Sequence, residues 1–176
     1  KIISPWEVEV RLESGATQRL TPRAIVIAAG ARPFVPPIPG LDEVGYLTSD
    51  NIWNLRTLPK RLVVLGGGPI GSELTQAFAR LGAKVTQVEM LPRIMIREDP
   101  DVSAIVINKF REEGIDVLVN HKAKQFLVEG GRKVLVAEHD GRDVRIVMLR
   151  RQPLEAHPRR RVPARRGPVQ AVLPVL

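Results

Sequence analysis

The pattern of hydrophobic and polar positions divides the chain into stretches of different texture. Val8, Val10 and Leu12 alternate with Glu7, Glu9, Arg11 and Glu13, the period of two expected of a half-exposed strand. Ser14-Gly15 then turns the chain. Ala24 to Ala29 is an unbroken apolar run, which predicts a strand buried on both faces and ended by Gly30. Prolines at 33, 36, 37 and 39 exclude helix there and predict an extended connector.

From residue 45 the period changes. Arg61–Leu65 predicts a strand, and glycines follow it. Ile70, Leu74, Ala77, Phe78 and Leu81 then recur as one face of a helix that Gly82 can end. Lys84–Glu89 predicts a second strand. The second helix has a start signal, Asp99 as cap and Pro100 at the first helical position. Val102, Ile105, Val106, the stem of Lys109 and Phe110 form its expected buried face, and Gly114 stops it. Ile115–Val119 is the third strand. Strands and helices in this alternation predict right-handed crossovers and a doubly wound, Rossmann-like α/β sheet.

Helical patterning disappears after Lys124. Lys124–Val128, Lys133–Ala137 and Val144–Met148 predict three short strands joined at Gly130-Gly131 and Asp140-Gly141, an antiparallel meander. The remainder has neither period. The expected organisation is therefore a first segment over 1–44, an α/β domain over 45–149 and an irregular, Arg- and Pro-rich tail over 150–176.

Composition changes this picture in two places. The chain has 176 residues and no cysteine, so a disulfide scaffold, a thiolate metal site and a cysteine nucleophile are excluded within it. His121, His139 and His157 share no ligand-like spacing, so no metal residues are assigned; the first two read as ordinary surface residues at strand ends. The formal charge of +8 resembles a nucleic-acid signal until it is divided. Residues 1–149 carry 20 Lys+Arg against 18 Asp+Glu, or +2, and residues 150–176 carry seven Arg against one Glu, or +6. The basicity belongs to the tail, which lacks aromatic stacking partners, so a nucleic-acid partner is not expected. No apolar stretch approaches the roughly 20 residues of a membrane-spanning helix. No targeting peptide is visible, and a cytoplasmic location and no membrane partner are expected.

The candidate chemistry lies in Gly66-Gly67-Gly68-Pro69-Ile70-Gly71, which matches G-x-G-x-x-G. It follows an apolar strand, opens an amphipathic helix and precedes Glu89, 18 residues after Gly71, at the end of the next strand. In such a loop Gly66 allows the tight turn, Gly68 lets backbone approach a pyrophosphate, and Gly71 lets helix pack on strand. The helix N-terminus then offers unpaired N–H groups to the phosphate charge. Glu89 can accept hydrogen bonds from both hydroxyls of an adenine ribose, which favours NAD over NADP, whose 2′-phosphate would face a like charge. Arg93 and Arg97 follow closely and could soften that repulsion.

With these residues on the page, the chain resembles the FAD-dependent pyridine nucleotide–disulfide oxidoreductases, especially mercuric reductase-like and dihydrolipoamide dehydrogenase-like members. The resemblance runs from about Val8 to Met148. It is carried by Ile25-Val26-Ile27-Ala28-Ala29-Gly30-Ala31-Arg32-Pro33, Pro37-Ile38-Pro39-Gly40, Leu47-Thr48-Ser49-Asp50 and Leu62 through Glu73. It implies that the first block closes an FAD domain, with backbone near Gly30 beside the flavin. Ala29 stands where the family often has Thr. It implies that Gly66 to Gly71 hold the NAD pyrophosphate and Glu89 the ribose. Pro69, Ile70 and Glu73 then lie toward the nicotinamide, and the backbone of Ala123 borders the adenine. The implied function is the NAD(H)-binding portion of an enzyme passing hydride between NAD(H) and FAD, with a disulfide or metal ion as further partner.

No catalytic residue is assigned in this chain. The family's flavin phosphate loop, cysteine pair and C-terminal dimerisation domain, through which a homodimer is implied, match nothing here. The alternative is a truncated, inactive remnant that binds dinucleotide weakly or not at all. Relatives follow the meander with an apolar strand that returns beside the first strand. Here Arg150-Arg151-Gln152-Pro153 stands in its place, so the last parallel strand is expected to be missing and the tail disordered or read out of frame. A genuine basic extension on a complete domain is the competing reading.

Overall fold

The computed structural model describes residues 1–148 and 171–174. They form two units, Lys1–Arg32 and Pro33 onward. In the first, β1 (Ile2–Ser4) pairs antiparallel with β2 (Glu7–Arg11), and β2 with β3 (Thr17–Leu20). The expected alternation forms a strand at β2, and Gly15 turns the chain with φ +84°. No residue of this unit is buried.

That exposure overturns one expectation. Residues 24–29 are not a strand, and Val26 and Ile27 are 86% and 76% exposed. A strand buried on both faces needs hydrogen-bonding neighbours and a covering layer, and no described strand pairs with this run. Its apolar character is intact, but nothing here uses it.

The Pro-rich connector falls in the second unit. Phe126 donates its N–H to the Pro39 carbonyl at 2.8 Å, and a Cβ on Gly40 would lie 2.0 Å from the Phe126 carbonyl oxygen. Gly40, with φ +77°, starts the short helix α1 (Leu41–Val44), whose Leu41 and Val44 are buried. A 3₁₀ turn at Ile52–Asn54 then leads to β4 (Arg61–Leu65).

The centre of the second unit is a parallel sheet. After β4 come α2 (Pro69–Arg80), β5 (Lys84–Val88), α3 (Pro100–Glu112) and β6 (Asp116–Leu118). Leu62 and Val64 of β4 pack toward α2 in a cluster with Ile52, Leu74, Ala83 and Val85. Val63 and Leu65 pack with Val88, Phe126, Leu135 and Met148. The strand is apolar throughout because both its faces are covered. Phe126 and Leu135 belong to the antiparallel meander β7 (Lys122–Glu129), β8 (Arg132–His139) and β9 (Arg142–Val147), and Met148 follows β9 directly. Asp140 and Gly141 both take positive φ at the β8–β9 turn, as the Asp-Gly signal requires.

Three details differ from the sequence pattern. On α2 the residues in the interior are Gly71, Ser72, Leu74 and Thr75, with Phe78 half-buried, whereas Ile70, Ala77 and Leu81 are exposed. On α3 they are Ser103 and Phe110, with Val106 and Ile107 half-buried, whereas Val102, Ile105 and Lys109 are exposed. There Ser103 donates its hydroxyl to the buried Ile94 carbonyl at 2.8 Å, which turns the helix toward that loop.

The third concerns the last parallel strand. A short strand β10 (Ala171–Pro174) pairs in parallel with Leu62–Leu65, so the sheet order is β10-β4-β5-β6 and β4 has neighbours on both edges. Pro174 sits at the end of the pairing, opposite Leu65. The disorder or frame change expected over 150–176 falls, apart from 171–174, on residues that lie outside the described ones.

Arg80 of α2 reaches Glu113 beyond α3 at 2.7 Å, and Gln76 donates to the same carboxylate. The Arg80 hydrogen bond holds the Glu113 carboxyl below its ordinary value. Among the described residues no helix is long and apolar enough to cross a membrane.

The contrast between the units is testable by urea denaturation. Leu135→Ala, at a fully buried position, is expected to cost roughly 2–5 kcal/mol. Val26→Ser should change stability by no more than about 0.5 kcal/mol. A comparable loss at Val26 would show that residues 24–29 are covered.

Candidate dinucleotide-binding site

The glycine loop leaves the C-terminal end of β4 and enters α2, the place where open α/β sheets bind ligands. Gly66 has φ +104° and donates its N–H to the Val88 carbonyl at 2.8 Å, so the chain turns while still tied to the neighbouring strand. A Cβ on Gly71 would stand 2.6 Å from the Gly66 carbonyl oxygen. That is backbone against backbone, and neither side can yield. Glycine at 71 is therefore required for the helix to sit this close, as the fingerprint predicts.

Gly67 is equally confined. A Cβ there would meet Ile94 Cγ2 at 2.7 Å and Glu89 Oε2 at 2.9 Å. Its N–H donates to Glu89 Oε2 at 2.5 Å, and its carbonyl accepts from the Met95 N–H at 2.6 Å. Gly68 differs from both, since a Cβ would meet nothing within 4 Å. It caps α2 with extended backbone, and Pro69 occupies the first helical position. Pro69 and Ile70 are exposed in that first turn. The loop is thus rigid at Gly66, Gly67 and Gly71 and open at Gly68.

Glu89 is 7% exposed at the end of β5. Its Oε2 takes the Gly67 N–H and its Oε1 the Leu91 N–H at 2.8 Å. The carboxylate therefore braces two turns, and each oxygen keeps lone-pair capacity beyond those bonds. Arg93 does not face it as a counter-charge. Its guanidinium donates to the Met95, Ile96 and Glu98 carbonyls and holds that loop together. Arg97 is exposed.

The remaining expected residues are placed less centrally. Glu73 is exposed on α2, beside a groove of about 180 Å³ lined also by Pro69, Gln76, Met95 and Phe110. Ala123 is half-buried in β7 opposite Ala137 and packs against the meander core. Gly30, with φ +72°, belongs to the first unit and is exposed.

Sequence reading missed two features. Gln87 of β5 is fully buried and donates through Nε2 to the Gly66 carbonyl at 3.0 Å and to Ser72 Oγ at 3.2 Å. The signal was present, as an amide in the middle of an otherwise buried parallel strand. His121 and His139 are not separate surface residues. Their rings stack at 4.1 Å, and each Nδ1 meets a backbone carbonyl, of Val119 and Asn120 respectively. Only the pairing of β7 with β8 brings them together.

The parallel sheet, the crossover helices and the glycine loop at the end of β4 define a Rossmann-type α/β protein. Residues 1–150 match the family described as pyridine nucleotide-disulphide oxidoreductase, and the chain belongs to that family. It is similar to the mercuric reductase of Streptomyces lividans, 46% identical over 110 residues, covering 62% of this chain and 23% of the relative. The mercuric reductase of Shigella flexneri is 42% identical over 134 residues, covering 74% and 24%. Among solved structures, the HOCl-induced flavoprotein disulfide reductase RclA from Escherichia coli is similar, with TM-score 0.65 and 26% identity. That match covers 99% of this chain and 34% of the other. The water-forming NADH oxidase from Lactobacillus brevis bound to NADH shares the fold, with TM-score 0.59 and 23% identity, covering 82% and 33%. The chain spans about a quarter of the length of the two mercuric reductases.

Two glycine substitutions separate packing from access. Gly71→Ala should destabilise the fold by about 1–3 kcal/mol, because its Cβ meets fixed backbone. Gly68→Ala should leave stability within about 0.5 kcal/mol of wild type. Urea denaturation of both variants checks this, and equal losses would contradict the placement of the loop.

Proposed function

We propose that this chain is the NAD(H)-binding portion of a flavin-dependent disulfide or metal-ion oxidoreductase, one that transfers hydride between NAD(H) and FAD. The observation that carries this reading is the Gly66–Gly71 loop, held against Glu89 at the C-terminal edge of a parallel sheet. The N–H groups of Ile70 and Gly71 in the first turn of α2, without intrahelical partners, would receive the pyrophosphate. Open space at Gly68 would let the phosphates approach the backbone. Glu89 would accept the ribose hydroxyls through its remaining lone pairs, the backbone at Ala123 would border the adenine, and Pro69, Ile70 and Glu73 would line the nicotinamide side.

The division of labour follows from the residues. FAD, when bound, supplies the hydride-accepting ring, and the segment around Gly30 would contribute one edge of its site; the open space and left-handed backbone there are compatible with close approach. This chain holds no cysteine, so the dithiol that exchanges electrons with the flavin belongs to other parts of a longer protein. The names of the relatives, mercuric reductase and flavoprotein disulfide reductase, support mercuric ion or a disulfide as final partner. A homodimer through a C-terminal domain and a cytoplasmic setting belong to the same reading.

Cofactor choice turns on Glu89. A 2′-phosphate would bring a second negative charge toward a carboxylate that is largely buried, where screening by water is weak. NADH is expected to bind the chain about ten-fold more tightly than NADPH in a fluorescence titration at low salt. Tighter NADPH binding would refute the assignment. Glu89→Ala should narrow the difference while weakening both ligands, since it also frees the Gly67 and Leu91 amides.

A second expectation concerns the chain alone. Purified, it should be colourless and without NADH-dependent reductase activity. A bound-flavin absorption spectrum would overturn this.

A further inference from the structure

Gln87 of β5 and Glu89, the residue just after that strand, reach the two polar ends of a single peptide group. The Gly66 carbonyl accepts from Gln87 Nε2 at 3.0 Å, and the N–H of the same peptide, on Gly67, donates to Glu89 Oε2 at 2.5 Å. The next peptide is held in turn, because the Gly67 carbonyl accepts from the Met95 N–H. Gly66 has positive φ, and glycine can leave that state at little steric cost. The two-ended grip is what holds this peptide in one orientation.

Gln87 is a costly way to fill its position. It is fully buried near Val85 and Val88, and its Oε1 has no hydrogen-bond partner. An apolar side chain would avoid burying that oxygen, so packing alone does not account for the amide. Its donor does: Nε2 is placed between the Gly66 carbonyl and Ser72 Oγ, linking the turn to the first turn of α2. We propose that Gln87 is a positioning residue for dinucleotide binding, acting through the Gly66–Gly67 peptide and not touching the nucleotide. This rests on the reading of the Gly66–Gly71 loop as a dinucleotide site.

The test compares two variants of the full 176-residue chain, using ADP-ribose as probe because it carries the pyrophosphate and the adenine ribose. Gln87→Leu keeps the volume and removes the donor. Gln87→Glu restores a donor when its carboxyl is protonated, the form that full burial at this position favours. Affinity is measured by calorimetry at pH 5.5, each variant against wild type at that pH. Gln87→Leu should bind about ten-fold more weakly, the loss of one hydrogen bond to the loop. Gln87→Glu should bind within about two-fold of wild type. Wild-type affinity in Gln87→Leu, or equal losses in both variants, would overturn the inference, the second because a restored donor would then not restore binding. If wild type takes no ADP-ribose, the dinucleotide reading falls and this inference with it. If wild type binds and the variants follow the overturning pattern, only this inference falls. Amide exchange at Val63 and Val85 reports whether each variant keeps its sheet. Should Gln87→Leu lose that protection, the decision passes to Gln87→Asn, whose shorter amide should weaken binding with the sheet intact; undiminished affinity there would overturn the inference.

Discussion

The carbonyl oxygen of Gly66 is the point where strand, loop and helix meet. Its distance of 2.6 Å from the place where a Cβ of residue 71 would stand sets how close α2 lies to β4. That approach also sets which way the helix faces. With Gly71 turned to the strand, the residues that follow it inward are Leu74, Thr75 and Phe78, and the apolar Ile70 and Leu81 are left outside. Backbone contact decides the rotation because it cannot be relieved by a rotamer change, whereas an exposed Leu costs little.

Around that contact the sheet is served by two cores. Leu62 and Val64 look to α2, and Val63 and Leu65 look to the meander. The connector at 33–44 is drawn into the second core by Gly40, Leu41 and Val44, so the meander is held to the sheet by its own side chains and by a preceding segment. β10 completes the hydrogen bonding of β4 on its other edge. The loop is then carried on a strand whose backbone is paired on both edges and whose residues Leu62–Leu65 are buried on both faces, the rigid support that the proposed phosphate site would need.

In the proposed reading, Glu89 would connect this architecture to cofactor choice. Its two oxygens already brace Gly67 and Leu91, so the group that would read the ribose is also part of the scaffold. Substitution there cannot change specificity without also loosening the turn. Membership of the pyridine nucleotide-disulphide oxidoreductase family agrees with this construction.

Much of this was legible in the amino-acid order. The parallel strands, both long helices, the meander with its Asp-Gly turn, and the Gly66–Gly71 fingerprint with Glu89 after it all follow from local period and turn chemistry. Those signals are carried by neighbours in the chain, so sequence alone determines them. It could not determine which face of α2 or α3 turns inward, because Gly66 and Ile94, the groups that orient them, act through backbone contact and hydrogen bonding. Nor could it show that Gln87 grips Gly66, that His121 stacks on His139, or that Ala171–Pro174 pairs with β4 after a Pro-rich stretch. The apolar run at 24–29 reads as a buried strand, yet burial requires a partner, and a run of side chains cannot supply one. Tertiary structure decided these points because each depends on residues far apart in the chain whose meeting follows only once the sheet has formed.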